Sequence, residues 1–484
     1  MIRLSILSVG AALLVALLAG CATTGGLRPF AKGTDPNSLS AARSLGGVTL
    51  SDAAWPTSDW WKRYDDPQLD VLVQEALAGS PTLRAADARV RKALAAAGVA
   101  NSARYPQVNG NAAVLRLRLP ESGTSSDLGG EWNTIGALSA SLTFDLDLWG
   151  RHRSNAESAL DAAHAAQVDA AAARIVLSAA VVHAYVQLQH AYDQLDVQQE
   201  TLTERTRIRD LIAQRAREGL DSQIELKQSE TALPESRERI AALEETIAVT
   251  RNQLAALLGN GPDRGLSIAR PHMSATRAVA LPTQIPADLI GRRPDMVAAR
   301  WSVEAARKQI DVAKAEFYPN VNLIGLVGLQ SIGLSHFFSA GSVLAGYGPA
   351  VSLPIFEGGR LRSELAGRNA DYDIAVEQYN QALADALREV VDQLAAFRSI
   401  DVQKSEVELG LRTAQQAYDL AALRYQEGLG NYLQVLSAEA QVLEQKSLRA
   451  DLTPREIDVS VNLTRALGGG FNDTQGAPIV GAAK

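Results

Sequence analysis

The sequence predicts an α+β membrane protein: duplicated long α-helical hairpins form a trimeric helical barrel, and four β-strands per chain contribute to a 12-stranded trimeric β-barrel. Three observations carry this expectation. Apolar stripes run along helical stretches too long for a globular core, those stretches occur twice, and each copy holds alternating segments that nothing else in the chain can cover.

In chain order, residues 1–20 read as a secretory signal, with Arg3 followed by an apolar run from Leu4 to Leu18. About fifteen apolar residues are too few to span a bilayer as a helix. Leu18-Ala19-Gly20-Cys21 resembles the bacterial lipoprotein processing box, which makes Cys21 the expected lipid attachment site. Ala22 after it, rather than Asp, resembles lipoproteins sent to the outer membrane. Cys21 is the only cysteine, so an internal disulfide is excluded. Residues 21–50, rich in Gly, Ser and Thr, read as a tether from the lipid to the body. A formal net charge of −7 makes nucleic acid an unsuitable partner.

The first repeat is expected over 51–258. It opens with Trp55, Trp60 and Trp61, then an amphipathic helix starting at Pro67 and a second after Gly79-Ser80-Pro81 that ends near Tyr105-Pro106. Two strands follow. In one, Leu115, Leu117 and Leu119 alternate with Arg116 and Arg118; in the other, residues Leu138 to Leu148 alternate with Ser139, Ser141, Thr143, Asp145 and Asp147. From Arg151 to Arg217 the period turns helical, with Val181, Leu188, Leu195 and Leu202 seven residues apart. Glu218-Gly219-Leu220 closes that run, and a second run from Asp221 to Leu258 completes a hairpin.

A linker at 259–293 leads to the second repeat at 294–467 and a tail at 468–484. A shift of 213 residues carries Pro81, Tyr105, Pro106 and Asn109 onto Pro294, Tyr318, Pro319 and Asn322. A shift of 209 residues carries Arg215, Glu218, Gly219, Leu220 and Gly259 onto Arg424, Glu427, Gly428, Leu429 and Gly468. The second stripe keeps Leu383, Val390, Phe397, Leu411, Tyr418 and Tyr425, broken only at Lys404. Its strands carry Val321, Leu323, Val327 and Leu329, then Val343, Ala345, Tyr347 and Val351.

Backbone polar groups in lipid must all be paired, so strands cross a membrane only as a closed barrel. Four strands cannot close, eight fill their own interior, and twelve leave a lumen, which favours three chains.

The lipoprotein box, Trp60-Trp61, Asp66-Pro67, Arg292-Arg293-Pro294-Asp295, Phe317-Tyr318-Pro319, Tyr425-Gln426-Glu427-Gly428 and Tyr432-Leu433-Gln434-Val435-Leu436 together resemble the TolC-type outer-membrane efflux factors. The NodT-like lipoprotein branch is the most similar. The resemblance implies an outer-membrane channel component of a tripartite efflux system, passively conducting small molecules and drugs. It also implies a homotrimer, and an equatorial region at 22–80, 260–293 and 468–484.

As partners the resemblance implies a periplasmic adaptor protein and an inner-membrane pump, most often of the resistance-nodulation-division (RND) type. It places adaptor contacts at Gly219, Leu220, Gly428 and Leu429, and a periplasmic entrance at Tyr425, Glu225, Gln434 and Ser437. Tyr425 matches a tyrosine that holds the entrance closed, and Glu225 stands where the family often has a carboxylate. The family's gate arginine falls on Gly430 and its constriction aspartates on Gln434 and Ser437. Neutral hydrogen bonds and packing around Tyr425 are therefore expected, rather than ion pairs.

No nucleophile, base or metal constellation is visible, so no enzyme, no metal site and no cofactor beyond the lipid on Cys21 are expected. His164, His183 and His190 share a helix without a ligand spacing. The competing class, a periplasmic adaptor-like structural lipoprotein, should carry one hairpin between β-rich domains, whereas two hairpins with strands between them are present.

Overall fold

The computed structural model describes residues 24–39, 42–45, 55–118, 120, 122, 129–274 and 291–473. Cys21 and the end of the first strand at Leu119 lie outside them. Eleven main elements follow in order: α1 (Pro67–Gly79), α2 (Pro81–Ser102), β1 (Gln107–Arg118), β2 (Trp132–Asp145), α3 (Arg151–Arg217), α4 (Gln223–Leu257), α5 (Pro294–Ala315), β3 (Asn320–Ile332), β4 (Val343–Ser352), α6 (Arg360–Gln426) and α7 (Tyr432–Ala466).

The duplicated helices match in length. Helices α3 and α6 have 67 residues each, α4 and α7 have 35, and α2 and α5 have 22. At 1.5 Å per residue the longest rods measure about 100 Å. Helix α3 packs on α1, α2, α4, α5 and α7, while α6 packs on α5 and α7. The stripe explains this: Val181, Tyr185 and Leu188 are fully buried on α3, and Leu383 and Val390 on α6. Where Lys404 interrupts the second stripe, its ammonium meets the buried carboxylate of Glu456 on α7. One stretch of α3 is long and apolar enough to cross a membrane, but its helix is held among these neighbours.

The partner rod of each long helix is made of two pieces stacked end to end. Helix α4 stops in a left-handed turn at Gly259 (φ +78°), against the carbonyl of Gly79 at the junction of α1 and α2. Helix α7 stops likewise at Gly468 (φ +93°), against the carbonyl of Arg292 at the start of α5. Arg293 fastens this second joint. It donates to the Ala466 carbonyl at 3.0 Å and pairs with Glu389 at 2.9 Å and with Asp295.

A Cβ on Gly468 would lie 1.9 Å from the Arg292 oxygen. Gly468→Ala is therefore expected to destabilise the fold by about 3 kcal/mol, lowering the melting temperature of the detergent-extracted protein. Gly26→Ala, at φ +74° in open space, controls for backbone strain alone. Equal melting of the two variants would contradict the joint.

Around the joints lies a mixed belt whose core joins Trp60, Trp61, Tyr64, Leu69, Leu72 and Tyr185. Asp66 caps α1 by accepting from the amides of Gln68 and Leu69, and also accepts from the Tyr185 hydroxyl (2.9 Å) and the His272 amide (2.9 Å). One carboxylate thus ties α1, α3 and the segment after α4 together. Residues 24–39 do not join this belt at their start, contrary to the equatorial placement expected for 22–80. They run along α6: Gly25 faces Arg362, the amides of Phe30 and Ala31 donate to Asp373, and the Thr34 amide donates to Asn380.

The four strands form one antiparallel sheet in the order β1-β2-β3-β4, with β1 and β4 at its edges. Their helix-linked ends, at Gln107, Asp145, Asn320 and Ser352, are together. Register puts Ala112 opposite Leu138 and Leu138 opposite Leu329. It also aligns Ala140, Val327 and Ala345 across three strands. One face is therefore apolar from edge to edge. The other carries Asn109, Asn111, Ser139, Ser141, Thr143 and Asn322 near the helix-linked ends of β1, β2 and β3, with Ile135, Ile324, Leu326 and Leu344 elsewhere on it.

The register corrects one expectation. Leu115 pairs with Ile135, and Arg116 with Thr134, so Leu115 and Leu117 lie on the face opposite the Leu138 row. Arg116 and Arg118 continue that row beyond its apolar part.

Candidate functional site: the hairpin tips

Both tips end in the same backbone device. Gly219 (φ +78°) and Gly428 (φ +73°) take the left-handed conformation, and the amides of Leu220 and Leu429 return to the carbonyls of Arg215 (2.9 Å) and Arg424 (2.8 Å). This is a Schellman motif, in which the residue after glycine ordinarily packs back on its own helix. Here Leu220 and Leu429 are instead 63% and 70% exposed, and Leu433 beside them is exposed as well.

Behind the tips, Tyr425 joins Ile212, Tyr432 and Val435 in a buried cluster. Its hydroxyl donates to Asp221 at the α3–α4 turn. Arg215 donates to the same carboxylate oxygen at 3.0 Å, and its guanidinium lies 4.7 Å from the Tyr425 ring centre. Burial first, and the Asp221 carboxylate second, push the Tyr425 hydroxyl well above its ordinary pKa, so it stays a donor. The side chains of Arg215 and Asp221 are only 14% and 9% exposed.

The structure thus corrects the expectation of neutral hydrogen bonds: an ion pair sits at the centre of this contact. It also moves the carboxylate. Glu225 lies away from Tyr425, because its side chain accepts from the Ser222 amide (3.0 Å) in a capping box at the start of α4.

Gln434 and Ser437 lie exposed, one turn apart on α7. Gly430 occupies the place in the second repeat that Asp221 occupies in the first, so the second turn lacks this carboxylate. Above it, Arg205 from α3 bridges Glu439 on α7 (3.2 Å) and the Ala232 carbonyl on α4 (3.1 Å), and Tyr418 donates to Glu204 at 2.9 Å. Burial raises the Glu439 carboxyl, and Arg205 pulls it back. A cleft of about 270 Å³ here is lined by Glu200, Glu204, Asp419, Glu439 and Lys446.

Two of the three histidines His164, His183 and His190 have an acidic neighbour on another helix, which their spacing along α3 does not reveal. His183 meets Asp458 at 2.6 Å and His190 meets Asp451 at 2.7 Å, both across the α3–α7 contact, while His164 lies edge-on to Trp301. Among the described residues no group of three or more His, Cys, Asp or Glu could hold a metal ion. The arrangement holds two hairpin ends together; it offers no nucleophile.

Fusaric acid resistance protein FusA of Burkholderia cepacia is 43% identical over 361 residues, covering 73% of this chain and 67% of that protein. Multidrug resistance outer membrane protein MdtP of Shigella flexneri is 32% identical over 460 residues, covering 90% of each chain. The crystal structure of the outer membrane protein VceC from Vibrio cholerae aligns with a TM-score of 0.81 at 35% identity, covering 86% of this chain and all of that one. The outer-membrane channel OprN aligns with a TM-score of 0.81 at 27% identity over 92% of this chain. The family described as Outer membrane efflux protein matches residues 72–260 and 285–469, one span for each repeat. This chain belongs to that family, the TolC-type outer-membrane channels of tripartite efflux systems.

Proposed function

We propose that three copies of this chain close into one conduit that carries small molecules, drugs among them, from a periplasmic adaptor and an inner-membrane pump to the cell exterior. The observation that carries this reading is the four-stranded sheet, apolar across one face and open at both edges, at the far end of rods about 100 Å long. Pairing β1 of one copy with β4 of the next removes the edges, and three copies give the twelve strands that leave a lumen. The face with Asn109, Asn111, Ser139, Ser141 and Thr143 then lines the pore. The pump is assigned to the RND type from the likeness to the NodT-like branch.

The exposed Leu220 and Leu429 are assigned to adaptor docking. In Leu220→Asp/Leu429→Asp, capture of the adaptor by the tagged, intact trimer should fall at least about tenfold. Undiminished capture would reject the tips as the docking surface.

Cys21 is assigned as the acylated residue. The course of residues 24–39 supports it: the segment begins at Gly25 beside Arg362, next to the sheet, and descends α6 to Asn380. Four residues reach at most about 14 Å, so an anchor four residues before Gly25 is compatible with a membrane at the sheet. Intact-mass measurement should give a diacyl or triacyl increment on the mature chain and none in Cys21→Ser. A mature chain without that increment would refute the anchor.

A further inference from the structure

We propose that the outer rim of the sheet carries a binding surface for the phosphates of outer-leaflet lipids, centred on Arg116 and Arg118. This rests on the membrane reading of the apolar face above and goes beyond it, since conduction requires no lipid contact of this kind.

The register fixes the geometry. On the apolar face, Val114 stands opposite Gly136, Arg116 opposite Thr134, and Arg118 opposite Trp132. The apolar row from Phe144 to Gly136 spans eight steps. At about 3.4 Å per step and a tilt of about 40° it is about 21 Å tall, close to the apolar band of an outer-membrane barrel. Arg116 and Arg118 come one and two side-chain places beyond it. They lie at the end away from the helices, where the apolar layer gives way to headgroups.

Two further features belong to the same level and face. Trp132 is 63% exposed there, as expected of an aromatic ring at a membrane interface. The β3–β4 loop folds over it as well: a Cβ on Gly136 would touch the Phe337 ring at 2.9 Å and Leu334 at 3.2 Å. Phe338, edge-on to Phe337 at 5.1 Å, is 85% exposed. Apolar groups suited to acyl chains thus lie beside the two guanidinium groups. The Nε of Arg118 donates to the Gly130 carbonyl at 2.7 Å, which holds that guanidinium at the rim. Guanidinium groups match phosphate by bidentate, charge-assisted hydrogen bonds.

The occupant is a phosphorylated lipid of the outer leaflet. An inward-facing role is excluded by the register, which turns both arginines away from the polar face. In the closed barrel β1 gains a neighbour only at its edge, which leaves Arg116 and Arg118 on the outward face.

The test uses the full-length trimer in detergent, with diphosphoryl lipid A and its fully dephosphorylated form as probes, read by native mass spectrometry. Wild type should retain diphosphoryl lipid A at least about tenfold better than the dephosphorylated form. R116Q/R118Q should lose that preference while keeping its heat-sensitive trimer band, and R116K/R118K should keep part of it. Equal retention of the two lipids by wild type would overturn the proposal, as would an unchanged preference in R116Q/R118Q. Displacement of the lipid by millimolar inorganic phosphate alone would overturn it too, since acyl contacts would then contribute nothing. Loss of the trimer band in wild type would instead strike at the barrel reading.

Discussion

Replacing Asp221 by alanine is expected to make cells leak. The Asp221 carboxylate receives both the Tyr425 hydroxyl and the Arg215 guanidinium, and so joins the two hairpin tips of a chain. Its removal leaves a nearly buried arginine without its anion and a buried phenol without an acceptor. Hydrogen bonds to charged groups contribute about 1.5–3 kcal/mol each, and an orphaned buried charge costs more. Three copies multiply the effect around one opening.

The expected result is about a tenfold fall in the inhibitory concentration of a large antibiotic that intact outer membranes exclude. Tyr425→Phe keeps the ring, its packing and the overlying Arg215, and loses only the hydroxyl, so its effect should be smaller. Tyr425→Ala should leak more than Tyr425→Phe. If Asp221→Ala cells exclude the antibiotic as well as wild type does, the contact is a packing detail and not a closure.

Placing a charge on the apolar face of the sheet should prevent assembly. Val327 lies in the middle of β3, aligned with Ala140 and Ala345, and is exposed in the single chain. An arginine at the lipid-facing midplane costs about 2–4 kcal/mol. A trimer pays this three times, about 6–12 kcal/mol, comparable to the stability of a whole domain. Val327→Arg should therefore abolish the detergent-extracted trimer. Ser141→Arg is the control. It sits on the polar face, opposite Leu326, where a charge meets water in the lumen, and should assemble. Equal tolerance of both substitutions would mean that the apolar face does not meet lipid.

Much of the fold was legible because it is repetitive. A seven-residue stripe has one folded solution over 67 residues, and Gly219 and Gly428 mark where it must turn. The tip contact was less legible. Glu225 and Asp221 are four residues apart, and chain order alone does not say which faces Tyr425. A usable signal was present: Ser222-x-x-Glu225 is a capping-box pattern, which commits Glu225 to the start of α4. Arg215 and Asp221 stand six residues apart across a tight turn, a pairing that a search for interactions within one helix passes over.

The strands failed for a different reason. Alternation along β1 sorts Leu115 from Arg116 but does not say which set faces the same way as Leu138. Only the hydrogen-bonded register decides that, and it placed the arginines with the apolar row.

The stacked ends at Gly259 and Gly468 have a consequence for how this body can vary. Peptide bonds follow α3 and α6 along their full length, while the companion rods are interrupted where one piece abuts the next. Everything on the tip side of those breaks hangs from the rest as an appendage with its own two legs. Whole turns could be added to or trimmed from both legs in step, leaving the rim, the pore and the mid-height collar as they are, so reach becomes a dimension adjustable to the width of the compartment it bridges.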